Sequence, residues 1–546
     1  MIWAAEGGGG VPDFEVRTLD LVVIIGYLLV SRIIPLVYSA RAKKRDDTAG
    51  KSASESYFLG GRNFIWPFVG LSLVATNMSG ATFVGLAGGA YSQGISIFAY
   101  EWMTTVILAA FIFFILPFYL RSQVFTLPEF LEKRFDVRSR RAFAGFNVFA
   151  NMFIDMAAAL YAGAIVVQFL YPQVPIWVAV AALALLAAIY TVIGGLGAVM
   201  ISDSIQATVT LVGGVIVFIA AWMAIPSWGE MAETAGESKL SLIQPIGDPD
   251  LPWPGLLTGV LVIGLYYWTT NQLVVQRTLG AKSLNHGRWG ALLAGFIKLS
   301  FLFLFILPGV MALSLYPNLD NPDEVFPTLV FDLLPVGVRG LILAAVIAAI
   351  TSTVDSILNS ASTIVTMDFV KPAKPDITQA GLVLSGRITT VGALVVAVIW
   401  APFIAQFDTL YNYLQSVLSY LVPPVVAVFL VGIAWKRMNA SAAFFTLVIM
   451  QPLGFVAFML IEVNGMIELQ FLYAAGIILV ISLILLTVIS LVGETPDLEK
   501  TDELTWKKQY WTDETEELKG TPIWANYRVL TAIMLVTTAG LVVAFA

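Results

Sequence analysis

The chain contains no cysteine and only one histidine, His286, in 546 residues. Without cysteine there can be no disulfide, no zinc–thiolate site and no thiol nucleophile. His286 lies in a polar, basic loop, so a histidine triad or cluster inside the apolar body is excluded as well. Charge is also scarce, with Asp, Glu, Lys and Arg making up 12% of the chain. Residues 1–20 lack a basic stretch followed by a cleavage site, so no removable signal peptide is expected. What fills the chain is apolar: 58% hydrophobic residues and a mean hydropathy of +0.84. Its apolar runs exceed the roughly 20 residues that cross a bilayer. The expected class is therefore an all-α polytopic membrane protein.

Fourteen apolar segments can be marked, at about 17–38, 64–92, 95–119, 143–170, 176–195, 199–224, 256–276, 290–315, 328–366, 385–405, 409–434, 441–461, 469–493 and 526–546. The ninth is too long for one straight span and is expected to open with a short surface helix around Pro327–Leu334 before Pro335. The net charge of −7 says little about orientation, which follows the placement of Lys and Arg. Alternate loops carry Arg41, Lys43, Lys44 and Arg45, then Lys133, Arg134, Arg138, Arg140 and Arg141, then Lys282 and Arg288, Lys371 and Lys374, and Lys436 and Arg437. The loops between them are acidic or neutral. The basic side is expected to be cytoplasmic and both termini external, with a mixed-charge, partly helical loop from Gly493 to Asn526 on the membrane surface.

Segments two to six and seven to eleven are two sets of five that enter the membrane from opposite sides, the geometry of an inverted-topology repeat. The expected organisation is residues 1–63 with the first helix, a first repeat at 64–224, an external loop at 225–255, a second repeat at 256–434, and three further helices in 435–546. Each repeat opens with an interrupted helix. The first has the small, polar middle Ala75-Thr-Asn-Met-Ser-Gly-Ala-Thr82, and the second is Leu261-Val-Ile-Gly-Leu-Tyr-Tyr-Trp-Thr-Thr-Asn-Gln272. Broken helix in hydrocarbon is tolerated only where it lines a cavity or faces other protein. Paired breaks at matching positions point to a central binding site.

The ninth segment holds Ser352, Asp355, Ser356 and Asn359 on one helical face, with Thr353 at its edge. Such hydroxyls suit Na⁺, which wants several hard oxygen ligands, or else interhelical hydrogen bonds. Ionisable groups within spans mark function by default; here they are Glu101, Asp155, Asp203, Lys298 and Asp355. Lys298 is mid-helix and needs a carboxylate or a solute hydroxyl. Asp155 is read either as a cation ligand or as a protonatable group. Asp203 and Glu101 lie near helix starts, where a carboxylate also favours the helix dipole. Tyr266, Tyr267 and Trp268 fall at the second break, as packing, as a stacking surface for a sugar ring or as a gate. No segment presents metal ligands or a nucleophile–base arrangement, so an enzyme is not expected, and neither is a nucleic-acid partner.

Several motifs together resemble the sodium/solute symporter family, with the greatest likeness to its sodium–glucose (hexose and inositol) cotransporters. They are Tyr57-Phe-Leu-Gly-Gly-Arg62, Ala75–Gly89, Tyr100-Glu-Trp102, Ile193-Gly-Gly-Leu196 with Asp203, Asn271-Gln-Leu-Val-Val-Gln-Arg-Thr278, Asn359-Ser-Ala-Ser-Thr363 and Met367-Asp368. The resemblance covers nearly the whole chain. It implies about 14 transmembrane helices in a five-plus-five inverted repeat (the LeuT-type fold), Na⁺ coupling and alternating access in a cell membrane. By resemblance, Na⁺ would bind backbone carbonyls of Ala75, Met78 and Ala349 and the hydroxyls of Ser352 and Thr353. Sugar contacts would fall on Asn77, Thr82, Glu101, Thr104, Tyr267, Trp268, Lys298 and Gln415. Tyr267 would be the inner gate, and Leu86, Tyr100 and Tyr411 the outer lid. Asp203 matches an acidic position linked to cation coupling. Asp355 matches inositol-type cotransporters, as a second cation ligand or a partner for a solute hydroxyl. Two positions depart from the pattern: Thr82 stands where a Gln or His is typical, and Gly264 where some members carry Asn. The implied partners are Na⁺, a neutral sugar or polyol, and the lipid bilayer. Another solute, or proton coupling through Asp155 or Asp355, is the alternative.

Overall fold

A computed structural model describes residues 17–48, 60–78, 80–121, 126–190 and 196–546. Tyr57–Leu59, Ser79 and Ile193–Gly195 of the motifs above lie outside the described residues, as does the side chain of Asn359. The described chain is helical. In order, its main helices are α1 (Thr18–Thr48), α2 (Trp66–Asn77), α3 (Gly80–Gln93), α4 (Ala99–Ala110), α5 (Val137–Ala150), α6 (Ala157–Leu170), α7 (Ile176–Tyr190), α8 (Leu196–Ala224), α9 (Leu261–Leu265) and α10 (Gln272–Leu279). They continue with α11 (Leu284–Phe301), α12 (Leu307–Leu315), α13 (Val325–Leu333), α14 (Val338–Ile364), α15 (Gln379–Trp400), α16 (Leu410–Leu421), α17 (Pro423–Ala434), α18 (Ala440–Phe458), α19 (Phe471–Val492), α20 (Lys508–Glu517) and α21 (Tyr527–Ala544).

Among the described residues, ten helical stretches are long and apolar enough to cross a membrane, or eleven if the pair α16–α17, bent by 53°, counts as one span. Pro423 and Pro424 make that bend, because proline cannot donate into the preceding turn. The other expected segments are the two interrupted ones and α7, none of which forms an unbroken described helix of that length. α19 shows why lipid is needed outside. Ile477, Ile481, Ile484 and Val488 all point outward and are exposed, while Ala474, Ile478, Ser482 and Leu486 face the bundle. A helix apolar on both faces is stable only with hydrocarbon around it. The chain is a multi-pass membrane protein.

α2 lies at the centre, packed chiefly on α11, α8 and α10. Gly70 and Gly290 make the α2–α11 approach possible: a Cβ on Gly70 would come within 2.8 Å of the Gly290 carbonyl. α1 lies against α14 and α8. The surface helix expected before Pro335 is instead buried, since α13 packs Val325, Phe326, Leu329 and Val330 against α3 and α8. The loop after α19 does more than rest on a surface. Its Glu514 is buried against Arg288 at 2.7 Å and accepts the Tyr527 hydroxyl at 2.8 Å, so α20 is latched onto the bundle.

Candidate solute and cation site

The site begins where α2 stops. Pro67 in the first turn starts the helix well, since its missing N–H costs nothing there. Thr76 and Asn77, poor helix formers, end it, and Met78 leaves helical geometry at φ −82°, ψ 65°. The last turn then exposes carbonyls that need partners. Val74 O takes the Met78 N–H at 2.7 Å, Asn77 O the Thr82 hydroxyl at 2.6 Å, and Thr76 O the Tyr267 hydroxyl at 3.3 Å.

The second break has a different construction. α9 runs into a π turn at Tyr266–Thr270, and Asn271 then turns extended (φ −77°, ψ 120°) and caps α10 by accepting the Leu273 N–H at 2.9 Å. The extra residue of a π turn re-aims side chains. Here it lets both Tyr267 and Trp268 line one cavity. Gly264 fits because α9 presses on α4, where a Cβ would meet Ile107 Cδ1 at 2.3 Å.

Between the breaks lies a cavity with about 120 Å³ of solvent-sized space. Its wall brings together Asn77, Thr82, Tyr100, Glu101, Thr104, Asp155, Tyr267, Trp268, Thr353, Tyr411 and Gln415. Thr76, Ala158, Ile263, Asn271, Ile357, Leu414 and Leu418 also line it. Motif reading misses the apolar ones, although helical spacing from Thr353, Tyr411 and Gln415 would have found Ile357, Leu414 and Leu418. Lys298 stands behind the wall, buried, with its Nζ 2.6 Å from Glu101 Oε2 and 4.1 Å from the Phe301 ring centre. Trp268 donates its indole N–H to Thr104 at 2.9 Å, and Thr104 in turn donates to the Tyr100 carbonyl. Asn77 and Gln415 reach the Tyr267 and Tyr411 hydroxyls, while Asn77 Oδ1 and Gln415 Oε1 have no donor among the described residues.

The remaining expected residues divide between the wall and the packing around it. Leu86 is fully buried in α3, and Tyr100 meets Tyr411 edge to face at 5.2 Å. Ala75, Met78, Ala349 and Ser352 are buried beside the cavity rather than on its wall. Asp203 is off the wall, accepting the Ser72 hydroxyl at 2.8 Å and pairing with Arg277 at 3.5 Å. The shared polar face of α14 divides. Thr353 looks into the cavity, whereas Asp355 turns to α1 and meets Arg32 at 3.6 Å, with Arg32 also donating to Thr351 at 2.7 Å. The first helix, whose sequence gave no hint of a site, thus supplies the partner for Asp355.

Above the lid, outside the spans, Asp323 accepts the Leu410 N–H at the start of α16. Burial pushes its carboxyl up to about 7, against the pull of that N–H and helped by nearby Glu324. The folded state therefore holds this proton more tightly than the unfolded chain, and stability falls as pH rises from about 4 to 7. Asp323→Asn is expected to flatten that fall in melting temperature. An unchanged slope would show that the carboxyl ionises without cost.

The sequence pattern of the sodium:solute symporter family matches residues 57–449. The chain belongs to this family. It is 35% identical to a sodium/myo-inositol cotransporter 2 of Oryctolagus cuniculus, over 91% of this chain and 80% of that protein. It is 34% identical to a sodium/glucose cotransporter 1 of the same organism, over 84% of this chain and 73% of that one. A Na⁺-coupled sialic acid symporter solved in a substrate-bound outward-open state shares the fold: TM-score 0.71, 23% identity, 89% of this chain and all of that one. Family and fold make the chain a transporter rather than an enzyme.

Proposed function

We propose that this symporter couples inward Na⁺ flow to uptake of a neutral monosaccharide or polyol by alternating access. The observation that carries this reading is the polar wall at the first break. Glu101 and Lys298 cancel each other's charge, and Asn77 Oδ1 and Gln415 Oε1 are acceptors awaiting donors. Buried acceptors without partners are costly, so a polyhydroxylated solute would repair them. Tyr267, Trp268, Thr82 and Thr104 line the pocket the solute would fill, Trp268 and Thr104 joined by a hydrogen bond. The relatives named for myo-inositol and for glucose support the solute class.

Na⁺ would bind the carbonyls of Ala75, Met78 and Ala349 with the hydroxyls of Ser352 and Thr353, bridging the broken helix to α14. The end of α2 at Met78 and the packing of α14 on α3 support this assignment. Tyr267 would close the inner side, and Leu86, Tyr100 and Tyr411 the outer. Fourteen passes, built as two inverted sets of five at 64–224 and 256–434 within the domain limits above, would place both termini outside a plasma membrane. The matching breaks support this arrangement. One sodium moved through 100 mV supplies about 2.3 kcal/mol, against about 1.4 kcal/mol for tenfold accumulation.

Uptake of labelled myo-inositol, glucose or galactose into proteoliposomes should require an inward Na⁺ gradient; uptake driven equally by a pH gradient alone would replace Na⁺ with protons. Thr353→Ala should raise the Na⁺ concentration for half-activation by about tenfold, the equivalent of about 1.4 kcal/mol. Unchanged Na⁺ dependence would remove that hydroxyl from the site.

A further inference from the structure

Most carboxylates of the spans come with a cation beside them. Glu101 meets Lys298, Asp203 meets Arg277, Asp355 meets Arg32 and Asp368 meets Arg140. Glu462, at a helix end, accepts the Tyr420 hydroxyl. Asp155 differs. Among the described residues neither a basic side chain nor a hydrogen-bond donor reaches it, and it faces the cavity.

Its position is built. Asp155 lies in the six-residue π turn Asn151–Met156 that joins α5 to α6. Its neighbours on that turn are engaged elsewhere: Phe153 O accepts the Tyr413 hydroxyl, which also takes the Trp400 indole N–H at 2.7 Å, and Asn151 donates to Ser360 at 3.5 Å. The turn thus leaves Asp155 to the cavity. Since Glu101 and Lys298 pair with each other, Asp155 is the carboxylate on this wall with no cation beside it among the described residues. Two further acceptors, Asn77 Oδ1 and Gln415 Oε1, also lack donors, and Gln415 is only 8% exposed. An ionised carboxylate held away from water needs a countercharge. No group of three or more acidic or histidine side chains gathers among the described residues, which disfavours a polyvalent metal. One carboxylate with neutral oxygens suits Na⁺, and one carboxylate with the faces of Tyr267 and Trp268 suits an organic ammonium.

We propose that Asp155 is a cation position inside the solute cavity, where a monovalent cation binds together with the solute. The cation is either free Na⁺ or the ammonium of an aminated polyol. This position is separate from the one assigned to Ser352 and Thr353, and it rests on reading the cavity as the solute site.

The test uses the full-length purified protein, with radiolabelled Na⁺ binding and, in proteoliposomes, uptake of myo-inositol, glucose and glucosamine. If free Na⁺ fills the position, the wild type binds two Na⁺ per chain and Asp155→Asn binds one, with the Hill coefficient for Na⁺ falling from about two towards one. If the solute brings the charge, Na⁺ binding is unchanged, but a preference for glucosamine over glucose of at least tenfold disappears in Asp155→Asn. Unchanged Na⁺ count and unchanged solute preference in that variant overturn the proposal. Thr353→Ala separates the two readings: if it removes one Na⁺ while Asp155→Asn changes nothing, the cavity reading stands and this one falls. The Na⁺ count needs no transported solute, so it still reports on Asp155 if none of the three is carried. Where Asp155→Asn folds poorly, Asp155→Glu keeps the charge but moves it. A changed Na⁺/Li⁺ preference or a changed preference for glucosamine over glucose supports the proposal, and no change in either overturns it.

Discussion

Lys298→Met is expected to abolish uptake and to lower the melting temperature sharply, and Glu101→Gln added to it should restore much of the stability without restoring uptake. Lys298 is fully buried and Glu101 is 4% exposed, with 2.6 Å between their charged atoms. Removing one member of such a pair strands the other charge in a poorly solvated site, at a cost of about 3–5 kcal/mol. Glu101 cannot simply turn to solvent, because α4 packs on α11, α9 and α21. Neutralising it as Gln removes the stranded charge, so the double variant should melt above the single Lys298→Met variant. Transport behaves differently. A solute that bonds to the charged Glu101 loses that acceptor in the double variant, so uptake stays absent while the fold recovers. The measurements are thermal unfolding in detergent and labelled-solute uptake on the same preparations. If the two substitutions destabilise additively, the pair is not coupled and Lys298 has another role.

How far the sequence carries depends on the kind of feature. The first break was legible because composition alone makes Ala75–Thr82 a poor helix in a spanning segment, and the structure does bend away at Met78. Glu101 and Lys298 were legible as costly groups, but nothing local shows that they meet, since the contact is made by the packing of α4 on α11. The polar face of α14 misleads in an instructive way. Helical periodicity groups Ser352 with Asp355, yet the seam against the cavity runs through Thr353 and Ile357, because α1 covers the other side and brings Arg32 to Asp355. Periodicity says which residues share a face, and only the neighbours decide which face is the site. The orientation of Asp155 and of Tyr267 with Trp268 depends on π turns, whose one-residue shift leaves no mark in a hydropathy pattern. By resemblance Thr82 faces the solute. It does line the cavity, but its hydroxyl is already given to the Asn77 carbonyl, so its contribution to the solute is a surface rather than a donor.

Asp203→Ala should be the most damaging change away from the cavity, destabilising the fold and loosening the coupling of solute to Na⁺. Asp203, on α8, accepts from Ser72 on α2 and pairs with Arg277 on α10, so one carboxylate ties a segment of each interrupted helix to a third helix. Both partners of the ion pair are buried, Asp203 at 5% and Arg277 at 3% exposure, and Arg277 is otherwise held by the Leu273 carbonyl. Alanine would leave the guanidinium without its countercharge, again at a cost of about 3–5 kcal/mol. Asp203→Asn keeps an acceptor for Ser72 and loses only the charge, so its loss of stability should be smaller. The functional consequence follows from where the tie sits. In alternating access one end of the bundle must part, and α2 and α10 belong to the two helices that frame the cavity. An end that opens without waiting for Na⁺ and solute lets solute through on its own, because bound ligands can no longer bias which state is populated. The expected result is a raised Na⁺-independent leak beside a reduced Na⁺-driven rate, seen as a fall in the ratio of uptake with and without the gradient. A variant that is unstable but keeps the wild-type ratio would make Asp203 a structural brace and nothing more.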